Sequence, residues 1–364
     1  MSAERNDLTE GAQPVSGHGP PTRLSWIDFA RGVAILMVVF HHAVIFDEAI
    51  EIGSSIVTKL DNLLVSVRMP LFFVCAGLLG AKTVERGWGT TWTKRIGLFV
   101  WIYVIWSMIR FVVFSVIDWP LESSEAGTVS SLIQSAWSPS GTLWFIYALA
   151  IYFAVSLATA RIPAYAVLAV SGVVSILFSS FVTTGDYEWD SILTYWFFFA
   201  IALRLRGQII ATVSGIGGGG TIFTLILLAL LTGGSYLLDI QDSPGVRLLT
   251  GIFAVASMLF VSCWVTKLLN TRWLQSIGRQ TLQVYLLHYF IIAVAVVYMS
   301  GALRSLPAAP LVVAVLLTTA ATPLSIGVYR LTKRVPGLYA APEWFVSVGH
   351  KAKAADPYEQ EIRG

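Results

Sequence analysis

The chain has 364 residues, 56% of them hydrophobic and 12% charged, with 24 Lys and Arg against 21 Asp and Glu. A water-exposed surface needs about twice that charge, so an ordinary soluble enzyme is excluded. A mean hydropathy of +0.72 with 13 Trp, 13 Tyr and 20 Phe describes a chain whose solvent is mostly lipid, and a net charge of +3 spread over short loops argues against nucleic acid as a partner.

Residues 1–22, rich in Gly, Pro, Ser and charge, cannot bury enough apolar surface to fold and are expected to be a disordered cytoplasmic tail. The first apolar run starts at Leu24 with no basic segment joined to it and no convincing cleavage site, so no signal peptide is expected. Ten apolar runs near the length needed to cross a bilayer follow: 26–46, 63–80, 96–117, 142–160, 163–182, 190–203, 217–238, 247–266, 281–300 and 310–330. The sixth is short, with Trp189 and Tyr195 as an interfacial end. Val129 to Ser138, between turn signals at Gly127 and Pro139, reads as a short interfacial helix. Gly217 to Gly220 lacks the Lys-Ser/Thr of a phosphate loop and reads as a flexible lead into the seventh run. The fold class is thus an all-α polytopic bundle, with one membrane domain over 23–335 and a second cytoplasmic tail over 336–364.

Loop Lys and Arg set the orientation. With the N-terminus inside, eighteen lie on the inner side, against Lys59, Arg247 and Arg304 outside. Loop acids, Asp61 among them, gather on the outer side. Both termini are then cytoplasmic.

Ionisable groups inside spans are costly and usually functional. The first run carries Asp28, Arg31, His41 and His42. At about 100° per residue, Asp28, Arg31 and His42 share one helix face, with His41 turned roughly 80° from Arg31. Asp28 and Arg31 form an i,i+3 pair, while His42 lies about 16 Å along the axis from Arg31. The second run has Arg68 near its outer end, placed either to snorkel to headgroups or to act in a site. Arg110, inside the third run, needs a partner that the sequence does not identify. Tyr285 and His288 are neighbours on the ninth. Lys94 and Arg95 stand at the entrance of the third run, as a positive-inside anchor or as a seat for phosphates. Cys75 and Cys263 lie in apolar runs, where packing is their expected role, and no metal site is expected.

These pieces together resemble the membrane-bound acyltransferase 3 family. Asp28-x-x-Arg31-Gly32 with His42 eleven residues after the arginine resembles its opening signature, and Arg68-Met69-Pro70-Leu71-Phe72-Phe73 its second span. Lys94-Arg95, Leu143-Trp144-Phe145, and Ile277-Gly278-Arg279-Gln280-Thr281 leading to Tyr285-Leu286-Leu287-His288 follow in the family's order, with Thr281 keeping the hydroxyl of the usual Ser. Cys75-Ala76-Gly77 departs from the usual Ser-Gly and puts a hydroxyl role there in doubt.

The resemblance implies an O-acyltransferase of sugars, glycans, lipid-linked saccharides or other hydroxyl acceptors in a cell membrane, the bacterial cytoplasmic membrane being the expected one. Acyl-CoA, typically acetyl-CoA, is then a co-substrate and no cofactor is permanently bound. His42 takes the catalytic position as general base; Arg31 and Asp28 complete the catalytic set, Asp28 fixing Arg31 because it stands too far along the helix from His42 for a direct triad. Lys94, Arg95 and Arg31 are expected to hold the coenzyme phosphates. Arg68, Trp144, Tyr285 and His288 are expected at the acceptor or oxyanion site. A separate extracytoplasmic transferase or a second copy of the chain are further expected partners. The rival class is a transporter with a polar pathway, which predicts an internal repeat; the Asp28-to-His42 pattern has no counterpart in the second half.

Overall fold

A backbone in lipid must satisfy its own hydrogen bonds, and apolar runs of this length do so as helices. The computed structural model describes residues 24–116, 127–139, 141–305 and 310–347. The tail over 1–22, most of the one after 336, and Asp118, Glu122 and Glu125, three of the acids expected in outer loops, lie outside them. Among the described residues every element is helical: α1 (Ser25–Ala49), α2 (Ser55–Val84), α3 (Trp88–Val116), α4 (Val129–Gln134), α5 (Gly141–Ala158), α6 (Ala164–Ser180), α7 (Tyr187–Arg204), α8 (Arg206–Gly215), α9 (Gly218–Leu237), α10 (Val246–Leu268), α11 (Arg272–Arg279), α12 (Thr281–Ser305), α13 (Pro310–Thr332) and α14 (Glu343–Val346).

A helix stands at each of the ten expected positions. Eight are long and apolar enough to cross a membrane: α1, α2, α3, α5, α9, α10, α12 and α13. α6 has 17 residues, and α7 runs into α8 through an 80° bend at Leu205. Hydrogen bonds near helix ends show which ends of α1, α2, α3, α5, α6, α7, α10 and α12 lie together. At one end Arg95 Nη2 donates to Leu79 O, Arg204 Nη2 to Thr159 O, Arg206 Nε to Leu78 O and Lys267 Nζ to Ser214 O. At the other, Arg304 Nε donates to Ile50 O, Arg247 Nη1 to Ser179 O and Ser138 Oγ to Asp186. The two ends are called here the Arg95 end and the Asp186 end.

Several sequence expectations shift locally. α2 begins eight residues before the expected span because Ser54 caps it, its hydroxyl accepting from the Ile56 N–H at 3.4 Å. Lys94 and Arg95 lie in a π-turn, Trp92–Ile96, continuous with α3 rather than in a loop. Gly218 to Gly220 form the first turn of α9 instead of a flexible lead.

α1 is the hub, packing on α2, α10, α11, α12 and α13. Its closest approach is to α11: a Cβ at Gly278 would fall on the Asp28 carbonyl oxygen, and one at Gly32 would press on Leu274. Cys75 and Cys263 are free buried thiols, as packing requires.

Gly278→Ala is expected to force α1 and α11 apart, at the cost of about 1–3 kcal/mol typical of overpacking; an unchanged melting temperature in detergent would contradict the close approach. Impermeant maleimide on intact cells is expected to label Cys placed at Thr184 but not at Arg86, which becomes reactive after lysis. The reverse pattern would invert the orientation.

Candidate active site

The polar residues of α1 meet partners on other helices. At its Arg95 end, Arg31 Nη2 donates to Thr281 Oγ1 at 2.5 Å, and Arg31 Nη1 lies 3.7 Å from Asp28 Oδ1. Asp28 is buried behind the arginine, as the i,i+3 spacing requires. Eleven residues on from Arg31, His42 Nδ1 sits 2.9 Å from the carbonyl oxygen of Val38 and 3.2 Å from His288 Nε2. His288, fully buried on α12, has its own Nδ1 2.9 Å from Val284 O. A carbonyl oxygen only accepts, so both Nδ1 atoms carry hydrogen and donate. His288 Nε2 is then an acceptor sharing the His42 N–H, and the lone pair of His42 is on Nε2. Tyr289 closes over the His42 ring, perpendicular at 5.5 Å.

A second polar cluster lies beside it. Asp61 accepts from His41 Nδ1 at 2.6 Å and from Arg68 Nη1 at 2.7 Å, and both Asp61 and Arg68 are buried. One expectation is corrected here: Asp61 is a helical residue of α2, not a loop acid. Of the two alternatives for Arg68, it is paired rather than snorkelling, and His41, turned aside on an ideal wheel, is joined to α2 through Asp61. The cause is the early start of α2. Seven residues are close to two turns, so Asp61 and Arg68 share a face. The Ser54 cap was the signal in the sequence that the spacing analysis missed.

Two cavities flank these groups. The inner one, about 100 Å³, is lined by Arg31, Arg95 and Thr281 with apolar residues of α2, α3, α5 and α12. The outer one, about 280 Å³, is bordered by His41, His42, Arg68, Trp144, Tyr187 and Glu188. The Tyr285 ring lines both, its hydroxyl donating to the carbonyl of Thr142. That carbonyl is held by the turn at Gly141, whose N–H donates to Glu188 Oε1 at 3.2 Å. Gly141 adopts a left-handed φ of +55°, and a Cβ there would overlap the Arg110 guanidinium. Arg110, whose partner the sequence does not identify, thus packs on this turn and over the Phe114 ring at 4.7 Å. At the mouth, Asp186 caps α7 by accepting from the Trp189 N–H at 3.0 Å. Burial opposes its ionisation, but the hydrogen bonds from Ser138 and Trp189 outweigh it and hold the carboxyl below its ordinary range.

Of the residues expected from sequence, His42, His288, Arg68, Trp144 and Tyr285 gather at the outer cavity, and Arg31 and Arg95 at the inner one. Lys94 is exposed and lines neither. Arg95 turns inward, stacking over Phe153 at 5.7 Å, and its buried Nε has no acceptor among the described residues. Sequence reasoning left the role of His41 open and missed Asp61, Thr142, Tyr187, Glu188 and Tyr289. Apart from the cap that brings in Asp61, these residues carried no shared periodic signal, because α1, α12, the start of α7 and the Gly141 turn bring them in from separate parts of the chain.

Residues 24–330 match the acyltransferase 3 family, described as an acyltransferase domain. The chain is also 22% identical over 291 residues to the inner membrane protein YcfT of Escherichia coli (strain K12), covering 74% of this chain and 80% of that protein. No solved structure matches.

Asp61→Asn is expected to leave Arg68 buried without its counter-charge and to cost about 3–5 kcal/mol. Asp61→Asn combined with Arg68→Met should recover much of that loss in detergent melting curves. Equal melting of wild type and single variant would show that the pair is not desolvated.

Proposed function

Because the chain belongs to the acyltransferase 3 family, a family of membrane acyltransferases, we propose that it moves an acyl group, acetyl in the simplest case, from cytoplasmic acyl-CoA to a hydroxyl of a saccharide or similar acceptor. The Arg95 end is then the cytoplasmic one. The observation that carries this reading is the pair of cavities meeting at Tyr285, one lined by two arginines and the other by a histidine with a free lone pair.

The chemistry divides between them. Arg31 and Arg95 suit an anionic or strongly polar donor entering from the cytoplasm, and the unfilled Arg95 Nε supports an acceptor atom there. In the outer cavity His42 Nε2 removes the proton from the acceptor hydroxyl as its oxygen attacks the thioester carbonyl. The new C–O bond forms, the C–S bond breaks, and the proton passes from His42 to the leaving thiolate, giving ester and free thiol. Imidazolium formed on His42 is stabilised by the Nδ1–H bonds to Val38 O and His288 Nε2, so His288 acts as a positioning residue. Tyr285, between the cavities, suits the carbonyl oxygen of the tetrahedral intermediate once its hydroxyl leaves Thr142. The rings of Trp144, Tyr187 and Tyr289 with the Glu188 carboxylate provide the flat faces and acceptor that a saccharide needs.

His42→Ala should bind acetyl-CoA like wild type in calorimetry while release of free CoA thiol with cell-envelope saccharides falls about 10²–10⁴-fold; retained turnover would remove His42 from the chemistry. Arg95→Gln should weaken acetyl-CoA binding far more than Lys94→Gln, since Lys94 faces away. No saturable binding of any short acyl-CoA to folded protein would overturn the donor reading in favour of transport.

A further inference from the structure

A third cavity, about 690 Å³, opens at the Arg95 end and takes no part in the chemistry above. It follows the other two along the same pair of helices. Along α2, Arg68 and Met69 border the outer cavity, Phe72, Ala76 and Leu79 the inner one, and Ala81, Val84 and Glu85 the third. α5 repeats the order with Trp144, then Phe145 and Leu149, then Ser156 and Leu157. The three cavities therefore lie in series along the α2–α5 seam. Seventeen residues from Arg68 to Glu85 span about 26 Å of helix, close to the thickness of a bilayer core. Arg95 stands between the second and third, bonded to Leu79 O and stacked on Phe153.

The third cavity has a different chemistry from the others. Trp88 lines it with 53% of its surface exposed, its ring stacked on Trp92 at 6.3 Å and 17°. Arg204 lines it too; its guanidinium donates to Thr159 O, Thr159 Oγ1 and Ile162 O, and it has no carboxylate partner among the described residues. Glu85 is the acid in its lining. An exposed aromatic face beside a cation with no ion-pair partner among the described residues, with one carboxylate elsewhere in the lining to accept from an amino or hydroxyl group, fits a phosphorylated aromatic ring. The volume is that of a small-molecule site.

We propose that this cavity is the nucleotide subsite of the donor: adenine stacks on Trp88, the phosphates face Arg204 and Arg95, and the thioester arm runs along the α2–α5 seam to His42. The assignment rests on the acyl-CoA reading above and adds the part of the donor that is recognised away from the reaction.

The test compares acetyl-CoA with S-acetyl-N-acetylcysteamine, a thioester that keeps the end of the arm and lacks the nucleotide, on the full-length protein in detergent. Trp88→Ala should reduce the affinity ratio of acetyl-CoA over the short thioester about tenfold or more, Trp88→Phe should restore most of it, and adenosine 3′,5′-bisphosphate should compete with acetyl-CoA on wild type. Arg204→Gln should act in the same direction; because Arg204 also caps the end of α5, the Trp88 pair decides if that variant does not fold. A tryptophan serving only as a membrane anchor would shift both donors together and leave the ratio unchanged, which overturns the subsite while acetyl-CoA binding to wild type still stands. If wild type binds neither acetyl-CoA nor the bisphosphate, the donor reading fails and the subsite with it.

Discussion

A bilayer core offers an ionised or strongly polar side chain no partner, so a group of this kind inside the bundle is stabilised when another protein group matches it. α1 and α2 carry most of them. Arg31 is matched by Thr281 on α12, His41 by Asp61 on α2, His42 by His288 on α12, and Arg68 by Asp61 within its own helix. These links tie α1 to α2 and to α12 at defined heights. A one-turn slip, about 5.4 Å, would strand several of them at once. A neutral hydrogen bond between helices is worth little in lipid, because the separated helices also find partners. Leaving a buried charge unmatched costs several kcal/mol. The register of α1 is thus set less by attraction than by the penalty for every alternative.

Close packing completes what the polar links begin. Gly32 and Gly278 remove side chains where α1 meets α11, so the backbone around Asp28 comes within contact of the α11 backbone. α11 delivers Thr281 at the head of α12, facing Arg31. The same arrangement explains why the site has two compartments. Arg31 and His42 are eleven residues apart on one helix, about 16 Å of rise, and Tyr285 of α12 lies between them at the border of both cavities. The inner compartment keeps the charge of two arginines. In the outer one the carboxylate of Asp61 offsets Arg68 and leaves His42 neutral neighbours in His288 and Tyr289.

Much of this was legible in the chain. Ten apolar runs predicted ten helices, and the polar stripe of α1 named Arg31 and His42, because helical periodicity is a local property that a single segment carries. The i,i+3 pairing of Asp28 with Arg31 was legible for the same reason. The family resemblance added His288 and Tyr285, which spacing alone left as a structural pair. Lys94 and Arg95 show where local reading stops. Side by side in sequence, they look equivalent; a π-turn and the packing of α3 on α2 turn Arg95 inward and leave Lys94 in solvent. His41 shows the opposite error, since an ideal wheel sets it apart and a carboxylate from α2 brings it into the site.

By itself the sequence determined the solvent of this protein, the positions of its helices and which of them carry groups that lipid cannot tolerate, since hydrophobicity and period are summed along neighbouring residues. It also determined the charge asymmetry that orients a chain at insertion. The tertiary structure alone decided which nitrogen of His42 is free, that Asp61 serves both His41 and Arg68, that Arg110 packs on the Gly141 turn, and that α2 and α5 line three cavities in succession. Each of those depends on groups brought together from distant parts of the chain, and their meeting is fixed by the packing of whole helices rather than by any local run of residues.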